Sequence, residues 1–220
     1  MTGLGHVDPG GPALVSEIGG GVTLRKLSVG PMDNNAYLLT TDGDALLIDA
    51  ANDEDRLLEL IGDRAVSTVV TTHRHGDHIQ ALADVARATG ARLVAGTSDV
   101  ESIERDAMVT GMTAVWDDDT VPLGSGELAV IGLVGHTPGS ITLVHAPGDG
   151  PAHLFTGDSL FPGGPGKTWR PADFASLMDD LETKIFGRFD DDTVVHPGHG
   201  DDTTLGVERP KLAEWRSRGW

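Results

Sequence analysis

A cluster of metal-ligand side chains is the feature that most limits what this chain can fold into. His73, His75, Asp77 and His78 follow directly on an apolar, β-branched run at residues 66–71, which predicts a buried strand. Alternate side chains of a strand end project to the same side, so His73 and His75 can reach one place. Asp77 and His78 open the next predicted helix and can reach a second place beside it. Imidazole and carboxylate are ligands that zinc, iron and manganese take, so the cluster predicts a metal site.

The absence of cysteine narrows the chemistry of that site. With no cysteine in the sequence, thiolate ligands, disulfides and a cysteine nucleophile are all excluded. A polar turn in which Asp77 caps a helix is the alternative interpretation, and it leaves three histidines without a role. A metal held by imidazole and carboxylate is therefore favoured.

The charge and the hydropathy pattern limit the partners. The chain carries 34 acidic against 16 basic residues, a formal net charge of −18, whereas a nucleic-acid enzyme needs a basic face to neutralise phosphates. No apolar run approaches the ~20 residues that span a bilayer, and no basic leader precedes an apolar segment. We therefore expect no nucleic-acid or membrane partner, and a cytoplasmic location.

The order of predicted elements indicates an α/β fold in two halves. Residues 1–21 are rich in Gly and Pro without an apolar period and are predicted to be a flexible N-terminal arm, while residues 22–220 are predicted to form a single domain,. Each half combines a β-rich stretch with helices, which predicts a sandwich with mixed sheets inside and helices outside. The predicted helices cover residues 53–61, 77–89, a short stretch from 100, 173–186 and 205–215.

Four further segments accompany the cluster. An Asp ends an early strand in Leu46-Leu47-Ile48-Asp49-Ala50, and the other three segments are Gly-His-Thr-Pro-Gly-Ser at 135–140, Phe-Thr-Gly-Asp-Ser-Leu-Phe at 155–161 and Pro-Gly-His-Gly at 197–200. In this order the five elements resemble the metallo-β-lactamase superfamily. The resemblance implies a four-layer αββα sandwich.

The resemblance also implies a ligand set for two divalent metal ions, most readily zinc, with iron or manganese as alternatives. The implied ligands are His73, His75 and His136 for the first metal, Asp77, His78 and His199 for the second, and Asp158 as the bridge between them. Asp49 is expected to orient ligands by hydrogen bonds without binding metal. Asp77 and Asp158 are the candidate catalytic carboxylates, and the implied reaction is attack by a metal-bound hydroxide on an acyl carbon.

Other histidines compete for these assignments. His196 precedes Pro197 and could replace His199 as a ligand, but a histidine at the end of an apolar strand is more often a satisfied core residue. The family pattern selects His199. His6, His145 and His153 are expected to have structural roles only.

Within the superfamily, residues 157–167 and 197–204 look most like short bacterial glyoxalase II-type thioesterases. This resemblance implies that Lys167 contacts a carboxylate of the thiol carrier and that Trp169 contacts substrate; an ordinary solvated lysine is the equal alternative. We expect the chain to have no C-terminal helical domain of the kind with which glyoxalase II grips glutathione, and Ile79-Gln80-Ala81 replaces a frequent Gly-Gly. We therefore expect a small acyl ester or thioester as substrate, and the identity of the thiol that carries the acyl group is left undetermined.

Three rivals share the fold. A persulfide dioxygenase with a single iron keeps much of the histidine set, but the loop around Asp158 and the intact Gly-His-Gly after Pro197 favour hydrolysis. A lactonase is a second rival, and a scaffold without activity is a third, although such a scaffold would not need seven intact ligands. The oligomeric state stays open.

Overall fold

A computed structural model describes residues 4–219 of the chain. The strands are β1 Leu14–Glu17, β2 Thr23–Val29, β3 Asn34–Thr41, β4 Asp44–Ile48, β5 Val66–Thr71, β6 Arg92–Gly96, β7 Thr113–Val115, β8 Thr120–Leu123, β9 Gly126–Gly132, β10 Ile141–His145, β11 His153–Gly157, β12 Leu160–Phe161, β13 Gly164–Pro165, β14 Val194–Pro197 and β15 Thr203–Thr204. The α-helices are α1 Glu54–Ile61, α2 Leu82–Thr89, α3 Val100–Ala107, α4 Pro171–Asp180, α5 Leu205–Glu208 and α6 Leu212–Arg218. None of the helices within residues 4–219 is long and apolar enough to cross a membrane.

The strands form two mixed sheets and a small hairpin. The first sheet has the order β1-β2-β3-β4-β5-β6-β7 and the second has the order β15-β14-β11-β10-β9-β8, while β12 pairs with β13. From β4 to β7 the first sheet is parallel, and α1, α2 and α3 make the crossover connections that parallel neighbours require. The carboxyl ends of these parallel strands therefore lie at one edge of the sheet.

Three apolar clusters divide the molecule into four layers. Leu46 of β4 and Phe155 of β11 belong to the cluster between the two sheets. The next residue on β4, Leu47, faces the other way and packs with α1, α2 and α3. Leu154 of β11 likewise faces away from the sheet interface and packs with α4 and α6. The alternation that a strand imposes on successive side chains thus builds helix, sheet, sheet and helix layers, and the predicted αββα sandwich is confirmed.

The predicted N-terminal arm is partly wrong. Residues 14–17 form β1, which pairs antiparallel with β2 at the edge of the first sheet, and Val7 and Ile18 are buried. Pairing with a neighbouring strand stabilises this Gly- and Pro-flanked segment, which has too little apolar periodicity of its own to be predicted as a strand. Residues 1–3 of the predicted arm lie outside the described residues, and the single domain at 22–220 stays a prediction.

The helix predicted to begin at Asp77 begins later. Gly76–His78 form a single 3₁₀ turn, and α2 starts only at Leu82. The N–H groups of Gln80 and Ala81 donate to the carbonyls of Ala51 and Ala50, at 3.0 and 3.1 Å, instead of to the preceding turn. These tertiary hydrogen bonds tie the histidine-rich loop to the end of β4.

Candidate metal centre

The predicted ligands all follow the carboxyl ends of strands. The loop after β5 carries four of them, and the loops after β9, β11 and β14 carry one each. Because these loops meet at one end of the sandwich, the structure brings all seven side chains together: His73, His75, Asp77, His78, His136, Asp158 and His199.

His73, His75 and His136 form the first group, which we call the three-histidine triad. One ring nitrogen of each lies within 4.8 Å of the others. The Nε2 atoms of His73 and His136 are buried without a hydrogen-bond partner among the described residues. A buried polar atom without a partner is costly, and a metal ion bound between these nitrogens would satisfy both.

Asp77, His78 and His199 form the second group, the carboxylate triad. The Nε2 atoms of His78 and His199 are 3.2 Å apart, and the Oδ2 atom of Asp77 lies 3.2 Å from His199 Nε2 and 3.5 Å from His78 Nε2. Two ligands of a tetrahedral zinc, each about 2.0–2.1 Å from it, are separated by about 3.3 Å. The spacing of the carboxylate triad therefore fits a small divalent cation.

Asp158 lies between the two triads. Its Oδ2 atom is 3.6 Å from His136 Nε2 and 3.4 Å from His199 Nε2, and its Oδ1 atom is 3.3 Å from His78 Nε2. Burial opposes ionisation of Asp158, but the neighbouring rings of His199 and His78 hold its pKa well below the usual range. An ionised carboxylate in contact with both triads has the geometry that a bridging ligand needs.

Partners behind the rings orient their nitrogens. The Nδ1 atom of His136 donates to the carbonyl of Lys167 at 2.7 Å, and that of His199 donates to the carbonyl of Met32 at 2.8 Å. A carbonyl only accepts, so each of these two rings carries a proton on Nδ1, and it is Nε2 that faces the centre and would bind a metal. Nδ1 of His78 donates in the same way to Asp49 Oδ2, at 2.9 Å.

Asp49 ties the end of β4 to the histidine-rich loop. Its backbone is left-handed, with φ of 57°, and its carboxylate also accepts hydrogen bonds from the backbone N–H of Thr72 at 2.7 Å and from the Thr72 hydroxyl at 2.8 Å. Asp49 thus lies behind His78 and fixes the direction of its ring.

The two triads differ in electrostatics. Burial lowers the pKa of His75 to about 4 and that of His73 well below its usual value, so these rings are neutral, as metal ligands must be. At His78 burial is outweighed by the charge of Asp49 and by Asp158, and the pKa rises to about 10. The excess of carboxylate around His78 is a charge that a divalent cation would neutralise.

Gly198 leaves room for the close approach of Asp158 to His78. A Cβ atom at this position would lie 2.1 Å from Asp158 Oδ1 and 2.8 Å from His78 Cε1. Only glycine permits so close an approach of the backbone to two functional side chains. The Pro-Gly-His-Gly motif therefore supplies a gap as well as a ligand.

The two predicted substrate contacts lie beside the three-histidine triad. Lys167 supplies the carbonyl that holds His136, and its Nζ atom is 4.4 Å from the ring centroid of Trp169. Both side chains are exposed, Trp169 by 67%. Their position leaves them accessible to a ligand.

His196 lies in a different, buried network. Its Nδ1 atom donates to Asp202 at 2.9 Å, and its Nε2 atom is 2.9 Å from His153 Nδ1. Lys26 donates to the same Asp202 carboxylate and to the carbonyl of Gly200, at 2.8 and 2.6 Å. Within the described part of the chain, His196 joins none of the metal-ligand groups.

Sequence reasoning missed two residues that support the carboxylate triad. The Nδ2 atom of Asn34 donates to Asp77 Oδ2 at 2.9 Å, and Lys26 holds the loop that carries His199 through Gly200. A buried Asn at the start of a strand is a weak signal because Asn is depleted in strands. Lys26 gives no signal, since lysine is normally a surface residue.

Comparison with known proteins places this geometry in a family. Residues 29–199 match the metallo-β-lactamase superfamily. The chain is 36% identical over 169 residues to a hydroxyacylglutathione hydrolase of Anaeromyxobacter dehalogenans (strain 2CP-C), which covers 76% of this chain but only 61% of that protein. It is 27% identical over 206 residues to the hydroxyacylglutathione hydrolase GloC of Haemophilus influenzae, covering 86% and 95% of the two chains.

A solved structure shows the same arrangement of elements. The di-iron-bound form of TTHA1623 superposes with a TM-score of 0.69 at 27% identity, over 84% of this chain and 96% of that one. The match to the family extends from the end of β2 to His199 and so includes every predicted metal ligand. The chain belongs to the metallo-β-lactamase superfamily.

Proposed function

We propose that the protein is a two-metal hydrolase that cleaves a small acyl thioester, in the manner of glyoxalase II. The observation that carries the proposal is the approach of one carboxylate, Asp158, to histidine rings of both the three-histidine triad and the carboxylate triad. The names of the two relatives, both hydroxyacylglutathione hydrolases, support it.

The residues present fit two small divalent ions. When bound, such ions would polarise a carbonyl and lower the pKa of a water so that it can act as nucleophile at neutral pH. His73, His75 and His136 would hold one ion, while Asp77, His78 and His199 would hold the other. Asp158 would be shared by both. Zinc is our first choice, and iron or manganese suits the same donors.

The chain's own groups would keep this centre in register during the reaction. Asp49 holds His78, and Asn34 holds Asp77, so neither triad member can rotate away when substrate charge develops nearby,.

Substrate recognition is assigned to the exposed residues beside the centre. Lys167 would pair with a carboxylate of the substrate, and Trp169 would cover its apolar part. Phe161, whose ring centroid is 6.3 Å from that of His199, and the exposed Met32 add apolar surface beside the carboxylate triad. These residues suit a small anionic thioester.

The thiol that carries the acyl group can be identified with a panel of substrates. The chain spans 61% of the length of the Anaeromyxobacter relative. Purified protein should be analysed for metal and assayed with hydroxyacyl thioesters of glutathione and of other low-molecular-weight thiols, and with lactones.

The results of this panel separate the alternatives. Two metal ions per chain and thiol release from a thioester are expected. One iron per chain with oxygen uptake on glutathione persulfide would replace the hydrolase by a persulfide dioxygenase, and turnover of lactones alone would make the protein a lactonase. A cytoplasmic location remains our prediction and can be checked by fractionation.

A further inference from the structure

Asp99 is a buried carboxylate that the proposed chemistry does not use. It precedes α3, where its sequence position predicts a helix cap, but its side chain makes no capping hydrogen bond. The residue is 0% exposed. A carboxylate held so far from water needs strong partners elsewhere.

The partners of Asp99 come from the two loops that carry the three-histidine triad. Its Oδ2 atom accepts a hydrogen bond from the backbone N–H of Arg74 at 3.1 Å, between His73 and His75. The same carboxylate accepts from the Thr137 hydroxyl and from the backbone N–H of Gly139, the latter at 3.1 Å. One side chain thus bridges the loop after β5 and the loop after β9.

Backbone packing makes this junction rigid. A Cβ atom at Gly139 would lie 2.5 Å from the backbone N of Asp99, and one at Gly96 would lie 2.0 Å from the Gly139 carbonyl oxygen. The turn that carries Asp99 and the loop that carries His136 are therefore in direct backbone contact. A shift of the Asp99 backbone would therefore displace the loop that carries His136.

We propose that Asp99 is a positioning residue that sets the distance between His136 and the His73–His75 pair, and so controls metal affinity at the three-histidine triad. None of its hydrogen bonds in the described part of the chain goes to an imidazole ring, and none reaches the carboxylate triad. Its effect should consequently be larger at the three-histidine triad than at the carboxylate triad. This inference rests on the proposed two-metal centre.

The test is a metal titration of chelator-stripped protein with Zn²⁺ in competition with a chromophoric chelator. His136→Ala and His199→Ala, each of which removes a ligand from one triad, assign the two binding constants. Asp99→Asn should weaken the constant of the three-histidine triad by about 10-fold, the lower end of the range for lost partners of metal ligands, because Asp99 holds the loops and not the rings. The constant of the carboxylate triad should change less. Thr137→Val removes only one of the hydrogen bonds that Asp99 accepts, so it should weaken the same constant by less than Asp99→Asn does.

Glu208→Gln is the matched control. Glu208 is also a buried carboxylate that accepts hydrogen bonds from a backbone N–H and a threonine hydroxyl, those of Gly163 and Thr203 at 2.9 and 2.8 Å, but it lies outside both triads. Equal weakening of both constants in Asp99→Asn, or a profile like that of Glu208→Gln, would overturn the positioning role. Wild-type protein that binds no Zn²⁺ in this titration would instead overturn the two-metal proposal itself.

Discussion

Replacing Lys26 by methionine tests how the loop that carries His199 is held. Lys26 Nζ donates to the carbonyls of Gly5 and Gly200 and to the carboxylate of Asp202, at 2.9, 2.6 and 2.8 Å. The side chain is only 1% exposed, so water does not reach these acceptors in place of the ammonium group. Methionine keeps the length of the side chain but removes the ammonium donor from all three acceptors. Among the described residues, the Asp202 carboxylate then keeps only its hydrogen bond from His196, and the Gly200 carbonyl keeps only the one from Asn35.

The expected loss of stability is large because a carboxylate is left buried without its cation. Removing one partner of a buried ion pair costs about 3–5 kcal/mol. For a chain of this size each kcal/mol lowers Tm by about 2–4 °C, which gives a fall of about 6–20 °C. Thermal unfolding followed by circular dichroism measures it. Arg87→Met is the matched control, since Arg87 forms a pair with Asp84 in which both side chains are exposed to solvent,.

The same substitution should weaken metal binding at the carboxylate triad only. Gly200 follows His199 directly, so losing the Lys26 contact loosens that ligand and leaves His136 untouched. Adding Asp202→Asn to Lys26→Met should recover part of the stability, because the unpaired charge is then gone. A fall in Tm no larger than that of Arg87→Met, or a double variant less stable than Lys26→Met, would refute the reasoning.

Asp158→Ala should lower the metal content below two ions per chain and abolish thioester hydrolysis, as measured by elemental analysis and thiol release; unchanged activity contradicts the bridging role. His199→Ala should lose one metal in preference to the other. His196→Ala should keep both metals and lower the stability by about 1–3 kcal/mol, because Asp202 loses a buried partner; metal loss in this variant alone would mean that His196 is the ligand. Lys167→Ala should raise KM for an anionic thioester with little change in kcat, and an unchanged KM would assign this lysine to the surface.

Elements whose residues agree with local rules were predictable. β5 occupies the predicted residues 66–71 because its β-branched and apolar residues suit a buried strand,. α3 begins at Val100, as predicted. α4 begins at Pro171, two residues before its predicted start, because proline supplies the fixed φ favoured at the first helical position, and residues 181–186 of the predicted helix form a π-helical segment,. Helix α1 starts one residue after its predicted start.

Elements that depend on distant partners could not be predicted from the sequence. β8 contains Pro122, which argues against a strand, yet β8 lies at the edge of the second sheet, where a missing N–H is tolerated,. The helix predicted for 205–215 is divided by a 3₁₀ turn at Arg209–Lys211, since Pro210 cannot donate to the preceding turn,. The short strand β15 gives no pattern and exists only because it pairs with β14.

In the candidate site, too, some residues could be predicted from local sequence and others depend on distant partners. Its seven predicted ligands stand in compact motifs, so their convergence could be expected from the sequence. Lys26, Asn34 and Asp99 stand in no motif, and their contacts join segments far apart in the chain. Asp99 even offers a misleading local signal, because the sequence predicts a helix cap and the carboxylate turns to another loop instead.

Because loops of both sheets meet at one centre, a metal ion bound there would also stabilise the fold. His78 and His199 lie 121 positions apart and come from loops of different sheets. In a chain without cysteine, an ion held by both would act as a removable cross-link between the two halves. An ion that binds only the folded chain adds about 2.7 kcal/mol at a free concentration 100 times its Kd. Heat tolerance and resistance to proteases would then follow the supply of metal to the cell.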